Sequence, residues 1–216
     1  MADDIVTLLR SDPAVRQLTE QDLRQAVTFF RARIGPLLNT TARRHPLGFL
    51  YASEAVSDGM NLRYHLWPEG WHVPETQAGG EIHDHIYQLN SLVLGGALRH
   101  ETFEAVLAQD GDYELLEVAY STAESSMCRT GARVVLRQLT NEVHGAGTAY
   151  RLAPGVIHRA SAVAAPAATL VLTIPKSAAP APRVLIPVGQ GAPQAFARRQ
   201  LTDGEIAEAR KLLENL

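Results

Sequence analysis

From about residue 47 to 175 the chain is broken into short apolar or alternating runs, each closed by glycine, proline, aspartate or asparagine. The runs fall at 48–54, 61–67, 81–87, 90–98, 113–119, 133–139, 148–152 and 168–174. Alternation places successive side chains on opposite faces, and runs this short and this closely spaced predict an all-β core, a sandwich or barrel. Asp58-Gly59 and Asp110-Gly111 are hairpin-type turn pairs between them.

The flanks read differently. Thr19 followed by Asp22 predicts a helix start, and Leu23, Val27, Phe30 and Ile34 then give one apolar face. Gly35-Pro36 should weaken or end this helix, and His45-Pro46 should stop any continuation. Residues 175–198 are proline-rich with little periodicity beyond Val184-Leu185-Ile186, which predicts an extended arm. Thr202 and Glu205 form a capping box ahead of a final helix carrying Ile206, Ala209 and Leu212 or Leu213. The expected organisation is an N-terminal helical segment (1–46), a β-barrel (47–175) and an arm with a C-terminal helix (176–216), forming one domain of 216 residues overall.

Composition removes several function classes. A formal net charge of −3 with dispersed basic residues argues against nucleic acid as partner. No apolar run reaches the roughly 18 residues of a membrane helix. The acidic start, Met1-Ala2-Asp3-Asp4, is unlike the basic region of a signal peptide, so a cytoplasmic location is expected. One cysteine, Cys128, excludes an internal disulfide and a cysteine-only metal cage. There is no phosphate loop and no G-x-S-x-G elbow.

The histidines carry the chemistry. In His83-Asp84-His85, positions i and i+2 of a strand share a face, so two imidazoles can meet one ion while Asp84 faces away. Pro154-Gly155 then turns the chain into another strand beginning near His158. Two histidines from one strand and a third from a distant one make a facial three-nitrogen site with open positions for substrate and O2. His100 and His144 are the alternatives for a fourth ligand, while His45 and His72, beside loop prolines, are set aside.

Gly80, the H-x-H pair, Gly95-Gly96 and the Pro-Gly turn with its histidine resemble the two motifs of a cupin, the double-stranded β-helix barrel. The acid that usually follows H-x-H is missing; Leu89 and Asn90 stand in its place. Within cupins, Ile82 to His85, Leu92 to Leu98 with Glu101-Thr102, Thr148 to Tyr150 and His158-Arg159 are similar to the cysteine dioxygenase group of thiol dioxygenases, over about residues 51–175. The resemblance implies a mononuclear Fe(II) site held by His83, His85 and His158, using O2. The substrate apparatus departs from that family. Ser53 replaces the arginine that grips the substrate carboxylate, Asn90 replaces the cysteine of the Cys–Tyr crosslink, and Thr173 replaces its tyrosine. The serine–histidine–tyrosine relay is not recognisable in Thr169, Val171 and Thr173.

Arg63, His65 and Trp67 alternate on one strand and therefore share a face. Arg63 can supply the lost positive charge, and His65 a proton shuttle, since imidazole titrates near neutral pH. Tyr87 and Tyr150 are donors beside the ligands, and Tyr150 joins Arg63 and His65 as a candidate catalytic residue. Gln88 and Asn90 are placed to orient a ligand or water. The expected activity is an iron oxygenase acting on a small polar chelating molecule other than cysteine. Zinc, nickel or manganese used as a Lewis acid, and a non-catalytic ligand-binding cupin, are the alternatives. The helical and proline-rich flanks are placed to pack on the barrel or to exchange across a homodimer.

Overall fold

Thr19 begins the long N-terminal helix because its hydroxyl accepts from Asp22 N while the Asp22 carboxylate accepts from Thr19 N, satisfying two amides that the first turn leaves open. In the computed structural model, which describes residues 2–11, 18–71, 80–120, 125–176, 181–191, 195–196 and 198–216, this helix is α2 (Glu20–Leu37). It follows α1 (Ala2–Arg10) and buries Ala26, Phe29, Phe30 and Ile34. Pro36 lies inside its last turn, so Gly35-Pro36 weakens the helix without ending it before Leu37. Thr202 and Glu205 cap α3 (Asp203–Glu214) in the same way. Among the described residues no helix is long and apolar enough to cross a membrane.

The strands are β1 (Arg43–Arg44), β2 (Leu50–Ala55), β3 (Asn61–Trp67), β4 (Ile82–His83), β5 (Tyr87–Leu107), β6 (Tyr113–Tyr120), β7 (Ser125–Gly145), β8 (Ala149–Leu152), β9 (Ile157–Pro175), β10 (Arg183–Pro187), β11 (Ala195–Phe196) and β12 (Arg199–Gln200), all paired antiparallel. The pairings β9–β4, β4–β10, β10–β6, β6–β7, β7–β5 and β5–β9 return to their starting strand, so the sheet closes on itself as a barrel. The expected all-β core, a barrel flanked by N-terminal helices and a C-terminal helix, is therefore present.

β5 and β9 serve two layers. Their halves at 97–103 and 157–164 pair inside the closed circuit. The other halves, 87–95 and 168–175, pair with each other and continue the sheet outward through β3 and β8. The change of direction is concentrated at Gly95-Gly96, where the β5–β9 register slips. Gly96 has φ +66°, and a Cβ there would lie 2.4 Å from the carbonyl oxygens of Ala164 and Pro166, so this bend needs a residue without a side chain.

Two expectations change. The predicted runs at 90–98, 133–139 and 168–174 are only parts of strands 19 to 21 residues long. Val184-Leu185-Ile186, read as part of an arm, is the buried centre of β10 and joins β4 to β6 within the circuit.

The alternation of β3 divides the interior. Leu62, Tyr64 and Leu66 face the main core, with Phe30, Ile34, Leu170 and Leu172. Arg63, His65 and Trp67 face a cavity on the other side, together with Thr169 and Val171 of β9.

Candidate metal centre and its cavity

His83 ends β4 and is directly paired with His158, the second residue of β9. Two of the three expected ligands therefore form the seam that closes the barrel. His85 lies two residues beyond β4, outside any strand, so the expectation that both imidazoles project from one strand face does not hold. A turn brings it to the site instead: Gly155 N donates to His85 O at 2.8 Å, tying this segment to the Pro154-Gly155 turn. The ring centroids lie 4.8 Å (His83–His85), 4.8 Å (His83–His158) and 5.1 Å (His85–His158) apart. One nitrogen from each ring falls within 4.8 Å of the other two.

The environment keeps these rings neutral. Burial pushes His83 below the ordinary imidazole range, and pushes His85 and His158 well below it. His83 Nδ1 lies 3.0 Å from Glu81 O; a proton on Nδ1 donated to this carbonyl leaves Nε2 bare. His158 Nδ1 lies 3.1 Å from His100 Nε2, while His158 Nε2 is buried with no hydrogen-bond partner among the described residues. A buried nitrogen left unpaired is costly. Three converging neutral imidazoles, two of them with a buried nitrogen unpaired among the described residues (His85 Nδ1 and His158 Nε2), fit a divalent cation.

Asp84 stands at the edge of the cavity but outside the histidine group, and it has another task. It is 3% exposed, and its two carboxylate oxygens accept from Arg183 N and Arg183 Nε, each at 2.6 Å. Arg183 Nη2 donates to Gly155 O at 3.0 Å. The pair thus fastens the segment between two ligands to β10 and to the turn that delivers the third.

Behind His158 stands a second group. His100 and His144 both stack on Tyr150, at centroid distances of 4.9 and 4.6 Å, and lie 6.0 Å from each other. Burial first, then His144, push His100 down to about 4. Its nitrogen meets the Nδ1 edge of His158, so His100 is a support for that ligand; the described ligand group contains neither His100 nor His144. Tyr150 lines the cavity, and burial raises its hydroxyl above the ordinary range.

The three histidines open on a cavity of about 460 Å³. Arg63 Nη1 donates to Tyr87 Oη at 2.6 Å, and its guanidinium lies 4.6 Å from the Tyr87 ring centre. Tyr87 stacks on His85 at 4.8 Å. Ser53 is the cross-strand partner of Arg63, and both face the cavity. No carboxylate among the described residues pairs with Arg63. His65 also lines the cavity, but burial and then Arg63 push it down to about 3. It is a neutral imidazole throughout the neutral range, which corrects the expectation of a group titrating there.

Some placements escaped sequence reasoning. His45, set aside as a loop residue, lines the cavity and stacks on Phe49 at 4.3 Å. Arg198 lines it too, 5.9 Å from the Tyr51 ring centre. Neither sits in a periodic run, so no spacing signal marks them. Asn90 points away from the cavity: its amide donates to Leu9 O at 2.6 Å, and Gln88 donates to Asn90 at 2.9 Å. His72 lies outside the described residues.

No protein-family model matches the chain, and no curated protein matches it. Solved structures do. An oxalate decarboxylase variant from Bacillus subtilis aligns at TM-score 0.37 and 13% identity, over 65% of this chain and 29% of that one. A structure from a study of DMSP lyases aligns at 0.35 and 12%, over 62% and 51%. Oxalate oxidase aligns at 0.36 and 13%, over 79% and 71%. The chain thus spans about a third of the length of the first of these. All three TM-scores lie below 0.5, and the reading of the fold rests on the strand pairing.

Proposed function

We propose that this chain is a mononuclear non-heme iron oxygenase that binds Fe(II) through His83, His85 and His158 and acts with O2 on a metal-chelating acid. The observation that carries the reading is the convergence of three buried, neutral imidazoles on one cavity wall, with no carboxylate in the described ligand group. Such a donor set leaves a divalent ion its full charge and favours an anionic co-ligand. Bound iron would supply the one-electron and O2 chemistry.

The chain's own residues do the rest. Arg63 offers a planar fork to a carboxylate, steadied by its bond to Tyr87 Oη. Tyr87 in turn stacks on His85, so one ring links the Arg63 guanidinium to a histidine that would hold the ion. The apolar walls exclude water, which strengthens both electrostatic contacts. His65, neutral, can donate or accept one hydrogen bond at the substrate but holds no proton in reserve. Cysteine is not the proposed substrate: Ser53 stands where the family's carboxylate-binding arginine belongs, and Asn90, in the crosslink position, is turned onto helix α1.

The test is anaerobic reconstitution with Fe(II) followed by O2 uptake with a panel of small chelating acids, thiols and amino acids. Uptake by the wild type and its loss, together with the iron, in His158→Ala is the expected result. Full uptake in His158→Ala would overturn the ligand assignment. Three imidazoles also suit zinc, nickel or manganese, and turnover without O2 would move the reading to Lewis-acid chemistry.

A further inference from the structure

The same cavity says more about its ligand, on the reading that the three histidines hold a metal. A cavity of about 460 Å³ lies within the roughly 300–1,000 Å³ typical of pockets for sizeable organic ligands, and at about 30 Å³ per water it has room for some fifteen waters. A chelating acid of two or three carbons fills only part of it.

One stretch of the remaining wall is apolar. Phe49, Trp67 and Leu98 line the cavity, each under a tenth exposed, and form one apolar cluster with Leu47, Tyr51 and Ala160 at its margin. Phe49 and Trp67 lie 4.3 Å apart between centroids, tilted by 32°, and Phe49 also lies against the His45 and His65 rings at 4.3 and 4.9 Å. Such a cluster is braced by its own contacts and stays in place whether or not a ligand covers it. Positive charge is confined to other positions, Arg63 and Arg198, while the acid on the lining, Asp84, is already paired with Arg183.

We infer that the ligand is a chelating carboxylic acid that also carries an apolar group about the size of a phenyl ring. The chelating head takes the metal and Arg63, and the ring lies against the wall of Phe49, Trp67 and Leu98. This departs from the small polar molecule expected from the sequence.

Matched ligands that differ only in the ring test it. The full chain is loaded with Co(II), metal binding is verified by titration, and lactate and mandelate are titrated against the visible spectrum. Both present the same 2-hydroxy acid head. Mandelate binding at least tenfold more tightly than lactate is the expected result. Arg63→Met should weaken both ligands by a similar factor while leaving Co(II) content unchanged. Equal affinities, or tighter lactate, on a protein that does bind Co(II) would overturn the inference and leave the metal site standing. Failure of the wild type to bind Co(II) would overturn both. The wild-type comparison needs no substitution, so a misfolded variant cannot obscure it.

Discussion

His158 is a usable ligand because of what lies behind it. A neutral imidazole that offers Nε2 to a metal carries its proton on Nδ1, and His100 Nε2 stands 3.1 Å away to accept it. Partners of this kind fix the tautomer and orientation of a ligand, and their loss commonly costs ten- to a hundredfold in metal affinity. His100→Leu should therefore weaken metal binding by about that factor in a titration of the metal-free protein, and His100→Gln, which keeps an acceptor, should recover part of it. Unchanged affinity in His100→Leu would remove His100 from the site. The buried imidazoles also set a pH dependence. Their folded values lie below the ordinary 6.5 of an unfolded chain, so the native state binds fewer protons than the unfolded one as pH drops. The stability they contribute is complete above about 6.5. It is lost as pH falls toward the native values, about 4 for His100 and about 3 for His65. Between pH 6.5 and 5, above the range where carboxylates titrate, the urea midpoint of the metal-free protein should fall, with a loss of stability of about 1.5 kcal/mol each from His65 and His100. A flat or rising profile there would contradict their burial.

Among the elements, β4 is the shortest part of the barrel circuit, two residues long, and it carries the most chemistry. Such a strand cannot hold its place by ladder bonds alone, and Asp84 supplies the missing fastening through Arg183. Breaking a buried pair leaves an uncompensated group, and with Arg183 partly exposed the cost of Asp84→Asn should be about 2–3 kcal/mol. Metal affinity should fall with it, since both H-x-H histidines lose their anchor; a thermal and metal titration equal to wild type would show the pair to be incidental. This fastening was invisible in the sequence, because Asp84 and Arg183 are far apart in the chain and neither belongs to a periodic pattern. The helix caps at Thr19 and Thr202, the cavity-facing alternation of Arg63, His65 and Trp67, and the turn ahead of His158 were legible, because each is written in spacings of two to four residues. Strand lengths were not. β5, β7 and β9 run on through polar and exposed stretches such as Thr140-Asn141-Glu142, where two solvent-facing sides erase the alternation. β10 was hidden among prolines, although its three apolar residues were visible.

At the scale of the whole molecule, closure of the barrel and assembly of the site are one event. The β4–β9 seam is the pairing of His83 with His158, so the circuit cannot close without bringing two of the proposed ligands together. The helices and main core lie on one side of β3 and the cavity on the other, which leaves the metal wall, the Arg63 cation and the apolar wall around a single space. That arrangement makes the three-histidine metal centre the claim on which the rest depends. The direct test is metal analysis by mass spectrometry on full-length protein purified without an affinity tag, before and after anaerobic exposure to Fe(II). The account predicts close to one iron per chain, lost in His83→Ala and His158→Ala. A wild-type protein that carries no metal and takes up none when Fe(II) is offered would contradict it.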